Sequence, residues 1–303
     1  MIMNAPKFDR EKFLLACKDV NKKNGQGSVF TLDSKCSALN IPKWSTGIEQ
    51  LDDILEGGIP YGRTIEIFGA ESHGKTSLAY WLCAQHEAAY FIPIEGTLDA
   101  QRAKLFGNKK GQLFVNRAAN TGEKCLEAIL KVAPSHIPCI VIDSVPCMVT
   151  EDQLDPKNIT KEGRRGTIAS LFSLRYPAVR LAIEENGNTV ILINQIRDKM
   201  NAMPFGEQTT TPGGHAIKHF NSIQLKVSRV KWIEVPNKDP RNDALNEKIG
   251  MIMNIKVTKS KVSVPLKECK IAMLFHYGFM TIEQAIEKRK EIMAENNQKY
   301  RNK

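Results

Sequence analysis

A glycine-rich segment from Gly69 to Thr76 constrains the fold of this chain more than any other feature of the sequence. It follows the apolar run 64–68 and precedes a helical pattern over 77–88. A strand, a glycine-rich turn and a helix in this order form a phosphate-binding loop. Glycines permit the tight turn, so that consecutive backbone N–H groups face one anion at the positive end of the helix. The pattern therefore predicts an α/β fold that binds a nucleotide.

Every residue of this loop is a candidate nucleotide-binding residue. Lys75 is placed to reach the β- and γ-phosphates, and the Thr76 hydroxyl is placed to hold Mg²⁺. The alternative is a glycine-rich turn that contains a lysine by chance, and the flanking strand and helix patterns argue against it. The predicted loop consists of Gly69, Ala70, Glu71, Ser72, His73, Gly74, Lys75 and Thr76.

Composition narrows the class of protein. The chain has 303 residues, of which 42% are hydrophobic and 25% are charged, as in an ordinary soluble globular protein. No apolar run approaches the length of a membrane span. The seven cysteines are scattered without paired metal spacing, which indicates reduced thiols in a cytoplasm-like compartment. A net charge of +10 favours a polyanionic partner, although many basic proteins bind no nucleic acid.

Four predicted strands end at one set of candidate groups. The apolar runs that lead to Gly69, Glu95, Asp143 and Gln195 are typical of strands buried on both faces of a mainly parallel sheet. In such a sheet the ligand lies beyond the carboxyl ends of the strands. We therefore expect these groups to converge on the bound nucleotide.

The three strand-end side chains each have a predicted role and an alternative interpretation. Asp143 is expected to position Mg²⁺, and Glu95 to orient or deprotonate an attacking water. For either carboxylate the alternative is a solvated acid at a strand end. Gln195 is expected to hydrogen-bond the γ-phosphate and to report the nucleotide state to the loop that follows it. Its alternative is an ordinary polar strand end.

The two ends of the chain carry helix signals. Asp9 is expected to cap a helix that stops at Gly25, and residues 28–32 are expected to form a short strand. This small element is predicted to pack either on the chain's own core or on a neighbouring subunit. Near the other end, Thr281 and Gln284 form a capping box for the last helix.

Two polar stretches interrupt the second half of the chain. Residues 148–166 and 197–214 contain glycine and basic residues and are predicted to be long loops. Residues 222–234 and 251–259 alternate apolar residues with lysine or arginine, which predicts antiparallel strands.

Several motifs occur together in an order that is highly specific. They are Gly62-Arg63, Glu66-Ile67, the Gly69–Thr76 loop, Phe91-Ile92, Glu95, Leu98-Asp99, the segments 141–145 and 193–197, Thr209-Thr210-Thr211, Gly213-Gly214, Lys259-Ser260-Lys261 and Pro265. Over about residues 9–280 the chain resembles the RecA-type recombinases of bacteria and their phages. The resemblance implies a RecA-like ATPase core with a mainly parallel central sheet, residues 34–280, between an N-terminal polymerisation helix and strand, 1–33, and a C-terminal helix with a basic end, 281–303.

The resemblance also implies an activity and its ligands. The implied protein uses ATP and Mg²⁺, forms a helical homo-oligomeric filament on single-stranded DNA, and pairs it with homologous double-stranded DNA in the cytoplasm. Lys75, Glu95 and Gln195 would be its catalytic residues, with Glu95 as the general base and Gln195 as the γ-phosphate sensor. The stretches 148–166 and 197–214 correspond to the two DNA-binding loops of the family. The DNA-binding candidates in them are Arg164, Arg165, Arg197, Phe205, Thr209, Thr210, Gly213 and Gly214.

Four further positions take roles from the resemblance alone. Asp99 falls in a nucleotide-binding motif, and Arg102 stands where the family has an aromatic residue stacked on adenine, which a guanidinium can replace. Lys259 and Lys261 match lysines that reach the nucleotide of the neighbouring subunit; from the pattern alone they are a solvated strand face. The chain departs from the family where a basic end replaces the C-terminal domain and acidic tail, which indicates a compact form.

Two other functions remain open on the sequence. One is a RecA-fold DNA motor of the hexameric helicase type, although such a motor lacks the polymerisation element and the Thr209–Gly214 pattern. The other is an ATP-switched protein that coats DNA with negligible turnover. ATPase activity stimulated by single-stranded DNA separates that protein from a recombinase.

Overall fold

The computed structural model describes residues 8–25, 28–29, 41–96, 98–107, 112–155, 157, 167–198, 209–236 and 246–301. The chain divides into two units, Met1–Pro42 and Lys43–Lys303. No helix in the described ranges is both long and apolar enough to cross a bilayer.

Helix α1, Arg10–Asn24, is the main element of the first unit. Asp9 caps it by accepting a hydrogen bond from the Lys12 N–H at 3.0 Å, and the chain leaves the helix at Gly25 with φ of 101°. Both predicted ends of the helix are confirmed. None of its residues is buried, and Phe13 is 53% exposed. The predicted strand 28–32 is not borne out at residues 28–29, which form a bend, and 30–32 lie outside the described residues.

The second unit is built on a nine-stranded sheet. In chain order the strands of this unit are β1 (Lys43–Trp44), β2 (Ile59–Pro60), β3 (Thr64–Gly69), β4 (Ala88–Pro93), β5 (Gln112–Val115), β6 (Cys139–Asp143), β7 (Thr189–Gln195), β8 (Arg197–Asp198), β9 (Thr209–Thr210), β10 (Ile223–Val235), β11 (Glu247–Ser260), β12 (Glu268–Leu274) and β13 (Gly278–Met280). Its helices are α2 (Glu49–Ile54), α3 (Lys75–Cys83), α4 (Ala100–Gly107), α5 (Gly122–Val132), α6 (Glu151–Leu154), α7 (Thr167–Asn186), α8 (Gly214–Phe220) and α9 (Ile282–Arg301).

Strand order in the large sheet is β13-β12-β11-β10-β3-β7-β6-β4-β5. Neighbouring strands from β10 to β5 pair in parallel, and those from β10 to β13 pair antiparallel. The α/β class and the mainly parallel central sheet are therefore confirmed. The predicted antiparallel strands are also confirmed, as the long β10–β11 hairpin.

Both faces of the parallel part are buried. Along β7, Ile191 and Ile193 belong to a core cluster that includes α2, α3 and α4, whereas Val190 and Leu192 belong to a cluster that includes α5, α7 and α8. Alternate residues of a strand point to opposite faces, so a strand covered on both sides needs an unbroken apolar run. Fully burying each such side chain stabilises the fold by about 1.5–3 kcal/mol.

Helix α3 differs from the predicted span of 77–88. It begins at Lys75, inside the glycine-rich loop, because Gly74 takes a left-handed φ of 83° at the N-cap position. It ends at Cys83, since the chain must turn to start β4 at Ala88, where β4 pairs with β5.

The last helix, α9, starts with the predicted capping box. The Thr281 N–H donates to the Gln284 side chain at 3.0 Å, and the Gln284 N–H donates to the Thr281 hydroxyl at 3.2 Å. Ala285 of α9 packs with Val235 and Leu274 in a third apolar cluster on the antiparallel side of the sheet.

Both stretches predicted to be loops contain short regular elements. In the first, Thr150 and Gln153 form a capping box for the single turn of α6, while residues 156 and 158–166 lie outside the described residues. In the second, β8 pairs with β9, and α8 begins at Gly214.

Candidate nucleotide site

Four adjacent strands end around one cavity of about 340 Å³. Because β3, β7, β6 and β4 are neighbours and run parallel, the groups after their carboxyl ends meet at one edge of the sheet. The cavity is lined by Glu71, Ser72, Lys75, Thr76, Glu95, Asp143, Ser144, Ile193 and Gln195. The structure thus brings together the glycine-rich loop and the three predicted strand-end side chains.

The loop itself is held by contacts to the β10–β11 hairpin. A Cβ on Gly69 would lie 2.1 Å from the carbonyl oxygen of Val227, so only glycine fits between these strands. Arg229 of β10 donates a hydrogen bond to the Ser72 carbonyl at 3.3 Å. A Cβ on Gly74 would lie 3.0 Å from the methyl group of Met253. The hairpin is therefore the support against which the loop takes its shape.

Lys75 is the buried cation of the loop. Its side chain donates to the Ala70 carbonyl with an Nζ to oxygen distance of 2.7 Å, and the residue is only 8% exposed. Burial lowers the pKa of Lys75, and the nearby carboxylates of Asp143, Glu95 and Glu71 oppose that shift. A buried ammonium group facing an open cavity is suited to an anionic ligand.

His73 is the unusual residue of the loop. Burial lowers its pKa, and the positive charge of Arg229 lowers it further. Its Nδ1 is buried without a hydrogen-bond partner among the described residues. This imidazole therefore favours the neutral form next to the phosphate-binding backbone.

Thr76 and Asp143 form the pair that fits Mg²⁺. The Thr76 hydroxyl donates to Asp143 Oδ2 at 2.8 Å. One carboxylate and one hydroxyl, with phosphate and water oxygens, make up an oxygen-ligand set that Mg²⁺ accepts. Burial raises the pKa of Asp143 to about 6, and the charge of Glu95 contributes to the rise. The hydrogen bond from Thr76 works in the opposite direction.

Glu95 is exposed at the mouth of the cavity. Its Oε1 accepts a hydrogen bond from the Ser144 hydroxyl at 2.7 Å, and the Cys147 Sγ lies 3.7 Å from the same oxygen. The Glu95 N–H donates to the Asp143 carbonyl at 3.2 Å, which ties the turn after β4 to the end of β6. Both side-chain contacts are to Oε1, so Oε2 has no side-chain hydrogen bond among the described residues.

Gln195 is half-buried at the last position of β7. Its N–H donates to Asn194 Oδ1 at 2.9 Å. One residue, Ile196, separates it from β8, which begins the second polar stretch. The position joins the cavity to that stretch, as the sequence predicts.

Asp99 and Arg102 lie outside the residues that line the cavity. Asp99 Oδ1 accepts from the Arg102 N–H at 2.9 Å at the start of α4, and the two side chains form an ion pair at 3.8 Å. Both side chains are about half exposed, at 57% and 49%. Their visible role is to cap α4, and their nucleotide contacts stay a prediction.

Lys259 lies on β11 and Lys261 directly follows the end of that strand, both at the amino-terminal side of the sheet relative to β3. Lys259 pairs with Gln224, which pairs with Glu66, three residues before the loop begins. Lys259 Nζ donates to the Lys218 carbonyl, and Lys261 Nζ donates to the His219 carbonyl at 2.9 Å. These carbonyls are at the carboxyl end of α8, where a helix favours cations.

The predicted DNA-binding residues are only partly described. Arg164, Arg165 and Phe205 lie outside the described residues. Exposed Arg197 of β8 pairs with Thr210 of β9, and Asp198 pairs with Thr209. Gly213 and Gly214 have φ of 93° and 68°, which glycine adopts readily, and they form the turn at the start of α8.

Ser144, Cys147 and Ile193 belong to the site but were not assigned to it from the sequence. Ser144 follows Asp143 directly, so the strand end was a usable signal for it. Cys147 reaches Glu95 only because the chain forms a short helical turn over Val145–Cys147. No sequence spacing signals that contact.

Comparisons with known proteins agree on one family. A family model described as the RecA N-terminal domain matches residues 12–280. Protein RecA of Mycoplasma mobile is 34% identical over 275 residues, which cover 89% of this chain and 79% of that protein. Protein RecA of Mycolicibacterium smegmatis is 36% identical over 285 residues, which cover 92% of this chain and 77% of that protein.

A solved structure shares the fold. The crystal structure of the RadB recombinase superposes with a TM-score of 0.55 over 78% of this chain and 99% of that chain. The sequence identity is 14%, so this likeness supports the fold alone.

Proposed function

Because the chain belongs to the RecA family, we propose that it is an ATP-dependent recombinase that assembles on single-stranded DNA in the cytoplasm and pairs it with a homologous duplex. ATP hydrolysis then releases the DNA. The observation that carries the proposal is the single cavity at which the glycine-rich loop meets Glu95, Asp143 and Gln195. A nucleotide phosphate, a metal and an attacking water each find a suitable group there.

Lys75 and the loop backbone bind the phosphates. When ATP enters, Lys75 exchanges the neutral Ala70 carbonyl for charged phosphate oxygens, which accept a stronger hydrogen bond. Thr76 and ionised Asp143 would hold Mg²⁺, which neutralises charge on the phosphate oxygens. The pair already lies in contact, so little rearrangement is needed.

Glu95 is the proposed general base. Ser144 holds its Oε1 at 2.7 Å, which leaves Oε2 to accept a proton from an attacking water. Gln195 contacts the γ-phosphate. Binding or loss of that phosphate therefore changes the position of Gln195 and, with it, of β8 and the rest of the segment 197–214.

Assembly into a filament is proposed from two features. The aromatic and aliphatic side chains of α1 are exposed, Phe13 by 53% and Leu15 by 63%, and so are available to a neighbouring subunit. Lys259 and Lys261 lie at the side of the sheet away from their own loop. In an assembly they would stabilise charge that develops on the γ-phosphate bound by the next subunit.

DNA is proposed to bind along the segments 148–166 and 197–214. Their basic candidates are Arg164, Arg165 and Arg197. Cations on such segments displace counterions from the phosphates, so DNA affinity should fall as salt rises.

Joint-molecule formation tests the proposal. Purified protein is incubated with single-stranded DNA and either a homologous or an unrelated duplex, with ATP, with ADP or without nucleotide. We expect joint molecules only with homology and ATP, and none with the Lys75→Ala variant, which loses the phosphate contact. ATPase activity is measured in the same mixtures and should rise when single-stranded DNA is present.

The alternatives give different results. A hexameric motor would separate duplex strands without any need for homology. An ATP-switched coating protein would bind DNA in the presence of ATP but form no joint molecules and show no DNA-stimulated turnover. Either result would replace the recombinase proposal.

A further inference from the structure

Glu66 is a fully buried carboxylate in the middle of β3 that neither the phosphate loop nor the predicted base accounts for. We propose that Glu66 is a positioning residue whose hydrogen bonds couple the phosphate sensor Gln195 to helix α8 and to Lys259. Through it, nucleotide binding and DNA binding depend on each other. This inference rests on the proposed function, and it adds the residue that links the nucleotide site to the DNA site.

Three amide groups from three elements converge on this carboxylate. Asn194 Nδ2 donates to Oε1 at 2.7 Å, and Asn221 Nδ2 donates to Oε2 at 2.8 Å. Gln224 Nε2 also donates to Oε2. A buried carboxylate is stable only when its oxygens are satisfied, so each of these elements is held to the same point.

Asn194 connects the network to the nucleotide side. Its Oδ1 accepts the N–H of Gln195 at 2.9 Å, and its Nδ2 also donates to the Pro212 carbonyl at 3.0 Å. Pro212 stands two residues before α8, at the end of the second polar stretch. A displacement of Gln195 at the γ-phosphate is thus transmitted through these hydrogen bonds to Glu66 and to the start of α8.

Asn221 and Gln224 connect the network to the other end of α8. Asn221 is the C-cap residue of that helix, and Gln224 is the second residue of β10. Lys259 donates to the Lys218 carbonyl in the last turn of α8 and is attracted by the charge of Glu66. The segment that leads into α8 is therefore linked to Glu66 through Asn194, and the residue that ends the helix, Asn221, is bonded to Glu66 directly.

Hydrogen bonds in such a buried group are made or lost together. If α8 shifts when DNA binds, Asn221 must leave Glu66 unless β3 and β7 shift as well, and a buried unpaired polar group is costly. The network therefore favours a joint movement of α8 and Gln195, which is what a coupling between two sites requires.

Asn221→Ala is the central variant, because it removes the tie between α8 and Glu66 without touching the cavity. Asn188→Ala is its matched control. Both asparagines are 0% exposed, both donate through Nδ2, and both have an Oδ1 without a partner among the described residues. Asn188 donates to the Ile137 carbonyl and has no contact with Glu66. The two variants should lose similar thermal stability.

Glu66→Gln is the conservative variant. Its amide oxygen can accept from Asn194, and the two hydrogens of its amide group can be donated to Asn221 and Gln224 once both of those side-chain amides turn their oxygens inwards. The contacts are then kept although the charge is lost.

The readouts are the affinity for an ATP analogue, the ratio of ATPase rates with and without single-stranded DNA, and the ratio of DNA affinities with ATP and with ADP. Asn221→Ala should keep the analogue affinity but lower both ratios by roughly tenfold or more, a coupling of the usual size. Asn188→Ala and Glu66→Gln should keep both ratios within about threefold of the wild type.

Four results would overturn the inference. They are unchanged ratios in Asn221→Ala, equal losses in Asn188→Ala, a loss in Glu66→Gln as large as that of Asn221→Ala, and weaker analogue binding that explains the whole effect. A wild-type protein without any DNA stimulation would instead remove the proposed function, and the coupling with it.

Discussion

Asp143, the proposed Mg²⁺ ligand, shows at the residue scale how a buried carboxylate costs stability. Its pKa is raised from 3.8 to about 6 by burial. A carboxyl group with a higher pKa in the folded state contributes stability that is fully present below about pH 4 and lost as the pH rises through about 6. At neutral pH the nucleotide-free protein therefore contains a buried, ionised carboxylate. Its charge becomes favourable when a cation binds beside it.

Asp143→Asn should therefore stabilise the nucleotide-free protein while it weakens Mg²⁺-dependent ATP binding. Asparagine keeps an acceptor for the Thr76 hydroxyl and removes the buried charge. We expect the free energy of unfolding to rise by about 1–3 kcal/mol at about pH 7.5 and by only about a third as much at about pH 4.5. Urea unfolding at the two pH values measures this, with exposed Glu71→Gln as the control. An equal gain at both pH values would show that charge is not the cause.

Glu95→Gln tests the proposed base. Glutamine has the same shape and still accepts from the Ser144 hydroxyl, but it cannot take a proton from water. ATP should still bind, while hydrolysis should fall by roughly 10²-fold or more. Single-turnover ATPase assays and analogue binding provide the two readouts. Glu185→Gln, which changes an exposed carboxylate outside the cavity, is the control. Hydrolysis at the wild-type rate would remove Glu95 from the mechanism.

At the scale of secondary-structure elements, the shape of the Gly69–Thr76 loop depends on the contact between β3 and β10. The carbonyl of Val227 leaves no space for a side chain at Gly69, since a Cβ there would lie 2.1 Å away. Backbone cannot yield to such a contact as a side chain can, so a substitution has to separate the two strands.

Gly69→Ala should therefore lower the free energy of unfolding by about 1–3 kcal/mol or more and weaken ATP binding together with it. Gly122→Ala is the matched control. Its Cβ would meet the flexible end of Leu171 at 2.5 Å, and alanine favours the helix at that position. Chemical unfolding and analogue binding compare the two variants. Similar losses in both would show that the strand contact has no special role.

Much of this element-scale arrangement follows from the sequence, and the reasons differ by feature. The apolar runs predicted the extents of β6 and β7, because strands buried on both faces need continuous apolar residues. The bounds of α3 were wrong, since the left-handed conformation of Gly74 and the turn into β4 are set by packing. The Glu66 network was not predictable, because its partners lie 128 to 158 positions away along the chain.

At the scale of the whole molecule, the question is whether residues of two neighbouring subunits together complete each ATP site. In the proposed assembly, Glu95 of one subunit and Lys259 and Lys261 of the next serve the same nucleotide. Two inactive variants should then restore one another when mixed. Glu95→Gln keeps both lysines, and the Lys259→Ala/Lys261→Ala variant keeps the base.

An equimolar mixture of these two variants should recover ATPase activity at about a quarter of its interfaces, where each partner supplies its intact half. Each variant alone should stay inactive. DNA-stimulated ATPase assays at several mixing ratios measure this. No recovery at any ratio would mean that the lysines act within their own subunit or only stabilise α8.

Removal of residues 9–32 tests the other half of the interface. The second unit, Lys43–Lys303, has its own core, so it should remain folded and bind ATP. It should sediment as a monomer with DNA, because α1 would no longer contact a neighbour, and its hydrolysis should fall. Circular dichroism confirms folding. Long assemblies with normal DNA-stimulated ATPase activity would show that α1 is not the docking element.

The lysine pair and the phosphate loop lie towards opposite ends of the strands, which gives each molecule a direction. Subunits joined through these two ends point the same way, and the row has two unlike tips. The subunit at one tip has a phosphate loop with no lysines facing it, so a row always has one complete site fewer than it has members. Short rows are then poor catalysts for each member, long rows approach a constant rate, and nucleotide persists longest at one tip. Growth and shrinkage should accordingly proceed at different speeds at the two tips.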